Sequence, residues 1–270
     1  MGLPRSTDPA QVHIEVFDDV EALTEGIASK LLRVVQDTLS AEGIAHISLT
    51  GGGAGIKTLE AAAGLIRRDP AAVPDWSAVH FWWGDERLLP IGDDERNETQ
   101  AREALLDQLV ADHGLPEENI HPMPSSEDAA HPEAGAQMYA CQLEQFAPAE
   151  GINGLAVPPL AVMLLGVGPD GHINSLFPGK DSLSKDSQST TGEEEAPEQL
   201  GPPLRVTLTF DAVHTARRVW TCVAGADKAK AVARALAPGA EASAVPAAAA
   251  RGALETVWHL DSAAAAELPG

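Results

Sequence analysis

The chain has 270 residues, with 40 acidic against 18 basic side chains and a formal net charge of −22. That length suits one large domain or two small ones around a sizeable core, and a 44% hydrophobic share is too high for a disordered chain. So acidic a surface repels nucleic-acid phosphates and anionic lipid, which argues against a polyanion-binding role. In chain order, Val12 to Phe17 reads as a short strand. Asp18 or Asp19 then caps a helix carrying Val20, Leu23, Ile27, Leu31 and Val35 at helical spacing. Ile44 to Leu49 is a second strand that runs into Gly51, Gly52 and Gly53, followed by a helix with Ile56, Leu59, Ala63 and Ile66 on its inner face. A break over Asp69 to Pro74 precedes a third strand, Val79 to Trp83, and helices over Asn97 to Asp112 and Glu133 to Phe146. Leu160 to Leu165 is uniformly apolar, as in a strand buried on both faces. Leu204 to Phe210 and Val219 to Ala224 are further strands, then come a helix from Asp227 to Leu236 and a last strand, Thr256 to Leu260.

Strands alternate with helices almost throughout, which predicts an α/β fold: a mostly parallel central sheet covered by helices on both faces. In such sheets ligands bind beyond the carboxyl ends of the strands. We expect a single domain over residues 1–270, with Lys180 to Pro203, polar and rich in Ser, Thr, Glu and Pro, as a mobile insert without folded elements. The Ala-rich Gly239 to Gly252 reads as a second mobile segment. Cys141 and Cys222 form no CxxC pair, and no group of histidines has metal-ligand spacing, so neither a metal nor another cofactor is expected. Met1 to Gln11 lacks a signal-peptide pattern, and the apolar run Leu155 to Val167 is too short to span a bilayer. The expectation is a soluble cytoplasmic protein with no membrane partner. Oligomeric state is not legible.

Chemistry concentrates in segments that follow strands. In Thr50-Gly51-Gly52-Gly53, glycines between a strand and a helix turn backbone N–H groups toward an anion at a helix N-terminus, and Thr50 adds a hydroxyl. No Gly-Lys-Ser/Thr occurs, so this is not a Walker loop. Asp85, Glu86 and Arg87 end the third strand; Arg87 suits a phosphate or carboxylate, although such runs are often plain exposed loops. Gly166-x-Gly168-x-x-Gly171 formally fits a dinucleotide fingerprint, but Pro178-Gly179 arrives too soon for the required helix and Asp170 would repel a pyrophosphate. What remains is Asp170-Gly171-His172 at the end of a buried strand: His172 as general base and Asp170 to orient it. Arg205, Thr207 and Thr209 share one strand face, ordinarily a solvated edge. Lys228 falls in a first helical turn, unfavourable for a cation unless an anion is near.

Taken together, these segments resemble the 6-phosphogluconolactonase family. The resemblance rests on the Thr50–Gly53 loop, Gly84-Asp85-Glu86-Arg87 with Pro90 and Asn97, the run Leu165 to Gly179, Arg205-x-Thr207-x-Thr209, Gly225-x-x-Lys228-Ala229 and Trp258-x-x-Asp261, in family order. It implies a Rossmann-like α/β fold of the sugar-phosphate isomerase and CoA-transferase type. It also implies metal-independent attack of water on a sugar-phosphate lactone, 6-phospho-D-glucono-1,5-lactone, with His172 as base supported by Asp170. The substrate's anionic groups would then fall to Thr50, Gly51, Gly52, Gly53, Asp85, Arg87, Arg205 and Lys228. The chain departs from the family's usual Ser-Gly-Gly-Ser loop, where Thr50 leads and Gly53 replaces the second hydroxyl residue, and from its pattern after the histidine, where Ile173-Asn174 replaces Thr-Ala. A related deaminase would continue into Asn-Glu-Pro, whereas Leu176-Phe177-Pro178 favours the lactonase. A sugar-phosphate sensor of the same fold is disfavoured by Asp170-Gly171-His172 and by the lack of a basic DNA-binding segment.

Overall fold

The apolar runs and helical stripes assemble into one parallel sheet with a smaller antiparallel sheet beside it. The computed structural model describes residues 11–69 and 74–269. The reading of the N-terminal residues, and most of the break at 69–74, lie outside the described residues. The strands are β1 (Val12–Phe17), β2 (Ala45–Leu49), β3 (Val79–Trp83), β4 (Asp85–Arg87), β5 (Leu160–Leu165), β6 (Thr190–Glu193), β7 (Arg205–Leu208), β8 (Arg218–Val223) and β9 (Glu255–Asp261). The helices are α1 (Val20–Glu42), α2 (Gly53–Arg68), α3 (Asn97–Ala101), α4 (Asp107–His113), α5 (Pro132–Glu144), α6 (Phe210–Thr215) and α7 (Ala229–Ala235). A π-helical segment, Arg102–Leu106, joins α3 to α4 in place of the single helix expected there.

Local chemistry explains the boundaries. Asp19 caps α1 by accepting the Ala22 N–H at 2.8 Å, and Gly43 ends it in the left-handed conformation at φ 75°. The stripe Leu23, Ile27, Leu31 and Val35 is buried as its spacing predicts, and Leu59, Ala63 and Ile66 do the same for α2.

The central sheet runs β1-β9-β8-β5-β2-β3, and every pairing in it is parallel. β2, β3 and β5 are buried at every position, which requires cover on both faces. After β2 the chain steps outward to β3; after β5 it steps the other way, to β8 and β9. The loops leaving β2 and β5 therefore diverge at a topological switch point, where such sheets bind ligands. No helix among the described residues is long and apolar enough to cross a membrane.

The second sheet, β4-β7-β6, is antiparallel, and it corrects two readings while the Ala-rich segment corrects a third. The 180–203 segment is not devoid of folded elements: β6 lies within it, flanked by 3₁₀ turns at Asp181–Ser184 and Glu198–Leu200. β6 needs no apolar alternation, because backbone pairing to β7 and polar contacts with α5 hold it. Thr190 Oγ1 donates to the Ala136 carbonyl at 2.7 Å, and the Gly192 N–H donates to Glu133 at 3.1 Å. β7 is no solvated edge, since all four of its residues are buried between β4 and β6. The Ala-rich 239–252 segment buries Val245, Ala247 and Ala250 and braces the loop after β5. The Ala247 N–H donates to the Gly171 carbonyl at 2.8 Å, and the Gly179 N–H to the Ser243 carbonyl at 3.0 Å.

Candidate active site

Three loops leaving the carboxyl ends of β2, β5 and β8 meet the second sheet around a cleft of about 420 Å³. The loop after β2 supplies Thr50, Gly51, Gly52 and Gly53, all in the wall. Gly52 stands at φ 81°, a conformation that strains any residue with a Cβ. Gly51 is tight for another reason: a Cβ there would lie 1.9 Å from Oδ1 of Asn97. The first amides of α2 have no intrahelical acceptor and carry the positive end of the helix dipole to this wall. The Thr50 hydroxyl accepts the Gly166 N–H at 3.1 Å, which locks the β2 loop to the β5 loop and leaves its own hydrogen to donate.

The second sheet supplies Asp85, Arg87 and Arg205 to the same cleft. Arg87 and Arg205 are directly opposed in the antiparallel β4–β7 register. Like charges facing one another across a sheet are destabilising, and an anion between them would relieve the repulsion. Arg205 is only 4% exposed, its Nε donating to the Pro202 carbonyl at 2.6 Å and one Nη to the Leu200 carbonyl at 2.8 Å. Those carbonyls belong to the 180–203 segment, so that segment orients a wall cation, and Leu200 itself lines the cleft. Arg87 donates to the Glu95 carbonyl at 2.6 Å and to Asn97 Oδ1 at 3.0 Å. Asp85 accepts the Ser175 hydroxyl at 2.6 Å, which ties the second sheet to the loop after β5.

That loop carries the pair read from the sequence. His172 Nδ1 lies 2.6 Å from Asp170 Oδ1, and the same oxygen accepts the His172 N–H at 3.1 Å. Burial works against the charge of Asp170, but the hydrogen bond and the charge of His172 outweigh it and hold the carboxyl below its ordinary range. An ionised carboxylate only accepts, so Nδ1 carries the hydrogen, and in the neutral ring Nε2 then keeps the lone pair. His172 lines the cleft, whereas Asp170 is not part of the wall. The ring packs on buried Phe177 with centroids 4.6 Å apart. Gly168 is indispensable to this geometry: a Cβ there would sit 2.0 Å from His172 Nδ1.

Lys228 also reaches the cleft, from a 3₁₀ turn before α7, and pairs with Asp227 at 2.9 Å. The sequence reading named no role for two asparagines that line the wall. Asn97, part of the family motif, donates from Nδ2 to the Asp85 carbonyl at 2.8 Å. Asn174 adopts φ 49° and presses Oδ1 toward Gly84, and neither amide atom finds a hydrogen-bond partner among the described residues. Only its departure from the family pattern marked Asn174 in the sequence. Glu86 was likewise passed over between Asp85 and Arg87, yet it is buried and accepts three backbone N–H groups.

The chain is similar to known proteins along nearly its whole length. A 6-phosphogluconolactonase of Streptomyces coelicolor is 43% identical over 256 residues, covering 94% of each chain. One of Mycobacterium tuberculosis is 40% identical, covering 95% of this chain and 98% of its own. Among solved structures, the 6-phosphogluconolactonase of Trypanosoma brucei superposes with a TM-score of 0.77 at 26% identity, over 96% of this chain and 99% of the other. A monomeric glucosamine-6-phosphate deaminase shares the fold at 20% identity and a TM-score of 0.72, over 94% of this chain and 99% of the other. The family model for glucosamine-6-phosphate isomerases/6-phosphogluconolactonase matches residues 18–258, and the chain belongs to that family.

Proposed function

We propose that this chain is a 6-phosphogluconolactonase, hydrolysing 6-phospho-D-glucono-1,5-lactone to 6-phospho-D-gluconate in the oxidative pentose phosphate pathway, with His172 as general base. The observation that carries the catalytic reading is the His172–Asp170 pair, 2.6 Å apart at a cleft rich in hydrogen-bond donors. The relatives' shared name supports the substrate.

In this reading Nε2 of His172 takes a proton from water as the water oxygen attacks the lactone carbonyl carbon. The carbonyl π electrons move onto oxygen. The tetrahedral adduct then collapses, the ring carbon–oxygen bond breaks, and the imidazolium returns its proton to the departing alkoxide. One water is consumed, His172 ends neutral, and the new carboxyl group ionises in solution. Asp170 holds the Nδ1–H tautomer and stabilises the transient imidazolium, the part a buried aspartate plays in hydrolytic triads. Two donor sets, the Arg87–Arg205 pair and the Gly51–Gly53 amides with Lys228, divide the phosphate and the developing oxyanion between them. The net charge of −22 does not oppose this, because the field inside a cleft is set by the nearest donors.

Initial rates on freshly generated lactone, with spontaneous hydrolysis subtracted, test the activity. Saturable hydrolysis proportional to enzyme is expected. A rate no faster than the spontaneous one at high enzyme concentration contradicts it.

A further inference from the structure

The cleft's Arg87 and Asn97 are held in place by a residue that does not line it. Glu86, between Asp85 and Arg87 on β4, has a side chain only 1% exposed. Its Oε1 accepts the N–H of Arg87 and the N–H of Asn97, each at 2.8 Å, and its Oε2 accepts the N–H of Glu98 at 2.9 Å. α3 begins at Asn97, and the residue before it, Arg96, provides no side-chain cap. The cap is therefore delivered from β4 across the chain, and it is a carboxylate at the positive end of a helix. Burial pushes the Glu86 carboxyl up to about 7, against the charge of Arg96, 3.9 Å away, and the three N–H donors, which favour the carboxylate; Arg96, also 1% exposed, anchors itself on the Met123 carbonyl at 2.8 Å. From this cap the side chain of Asn97 bridges Arg87 and the Asp85 backbone while pressing on Gly51 of the phosphate-type loop.

We infer that Glu86 is a positioning residue for anion recognition: it fixes the start of α3 so that Asn97 orients the Arg87 guanidinium toward the bound phosphoryl or oxyanion group. The inference rests on the reading that Arg87 binds the substrate's anionic part. It follows from acceptor counting. Glutamine at this position keeps the shape but turns one of the two acceptor oxygens into an NH₂ group, which then faces a backbone N–H. The α3 start must shift to relieve that contact, and Arg87 loses its fixed partner. The damage falls on binding, because His172 and Asp170 lie on a different loop.

The test is a double-mutant cycle read by calorimetric titration with 6-phosphogluconate and by lactone kinetics, on Glu86→Gln, Arg87→Ala and the double variant. Glu86→Gln should weaken product binding roughly 10-fold and raise KM, with kcat falling less. In the Arg87→Ala background the same change should have little further effect on affinity, since its route to the ligand is gone. Additive losses, or a fall confined to kcat, overturn the positioning role. Unchanged affinity in Arg87→Ala alone instead removes the reading beneath it, and the inference with it. Should Glu86→Gln fold poorly, Glu86→Asp keeps the charge opposite Arg96 but shortens its reach. It enters the same cycle with the same expected non-additivity.

Discussion

The two ends of the central sheet use histidine in opposite ways. At the carboxyl ends of the strands, His172 lines a cleft, and its one carboxylate partner lies 2.6 Å away. Toward the other end, His46 and His80, the second residues of β2 and β3, pack with His121 among Trp82 and Phe146. His80 and His121 stack at 5.2 Å, His121 and Trp82 at 3.9 Å, and Trp82 donates its indole N–H to His46 at 3.1 Å. No carboxylate is among their hydrogen-bond partners in the described residues. Burial, with the neighbouring rings adding repulsion, pushes His46 down to about 3 and His121 to about 4, so these rings stay neutral and serve as packing. Residue type alone does not separate the two sites. Only His172 combines a strand-end position, a carboxylate partner and a cleft, the setting that the proposed base requires.

Removing each kind of histidine should break this contrast most visibly. His172→Ala is expected to lower kcat by roughly 10²–10⁴-fold with the fold intact by circular dichroism, the range for a positioned base. His121→Gln should leave kcat near wild type while lowering the melting temperature. Next in size is Gly168→Ala, which keeps both members of the pair but puts a methyl group where His172 Nδ1 sits, 2.0 Å away. Steady-state kinetics should show a loss of about 10²-fold from misplacement of the base. Arg205→Ala sharpens the other half of the account. Loss of a charged hydrogen-bond donor should weaken 6-phosphogluconate binding by about 1.5–3 kcal/mol in calorimetry, and unchanged affinity would take Arg205 out of the binding wall.

The smallest effect concerns acid stability. In the unfolded chain His46 and His121 titrate near their ordinary value of about 6.5, whereas in the fold they resist protonation down to about 3 and 4. Below about pH 6.5 the unfolded state therefore binds protons that the folded state refuses, so stability falls with falling pH across that window and levels off near the folded values. Urea unfolding should register a loss on the order of 1–2 kcal/mol per buried histidine between pH 7 and pH 5. His121→Gln, though less stable at pH 7, should show a shallower decline. An equally steep decline would mean the cluster does not titrate as described.

Much of the central sheet was legible because its strands are short runs rich in apolar residues between turn signals, one of them, Leu160–Leu165, wholly apolar. Val12–Phe17, Val79–Trp83 and Leu160–Leu165 lie where the sequence places them. The loop carrying His172 was legible for a different reason: glycines and a proline directly after an apolar strand mark a turn. The second sheet was hidden. β4 is three residues of pure charge, and β6 sits in a Ser/Thr/Glu-rich stretch whose pairing is a backbone property. Arg205 looked like a solvated edge because nothing in the sequence marks the carbonyls of Leu200 and Pro202 that hold it. The Ala-rich brace under Gly171 was hidden likewise, since small residues pack tightly without any periodic signature.

The account turns on one atomic claim, that Asp170 accepts a hydrogen bond from the Nδ1–H of His172, which leaves Nε2 as the base. Two-bond ¹H–¹⁵N correlation spectra of ¹⁵N-histidine-labelled protein at alkaline pH, with the His172 signals assigned by their loss in His172→Ala, read the tautomer directly. We predict a protonated Nδ1 and a bare Nε2 for His172, with the preference weakened in Asp170→Asn. A ring protonated at Nε2, with Nδ1 bare, would contradict it.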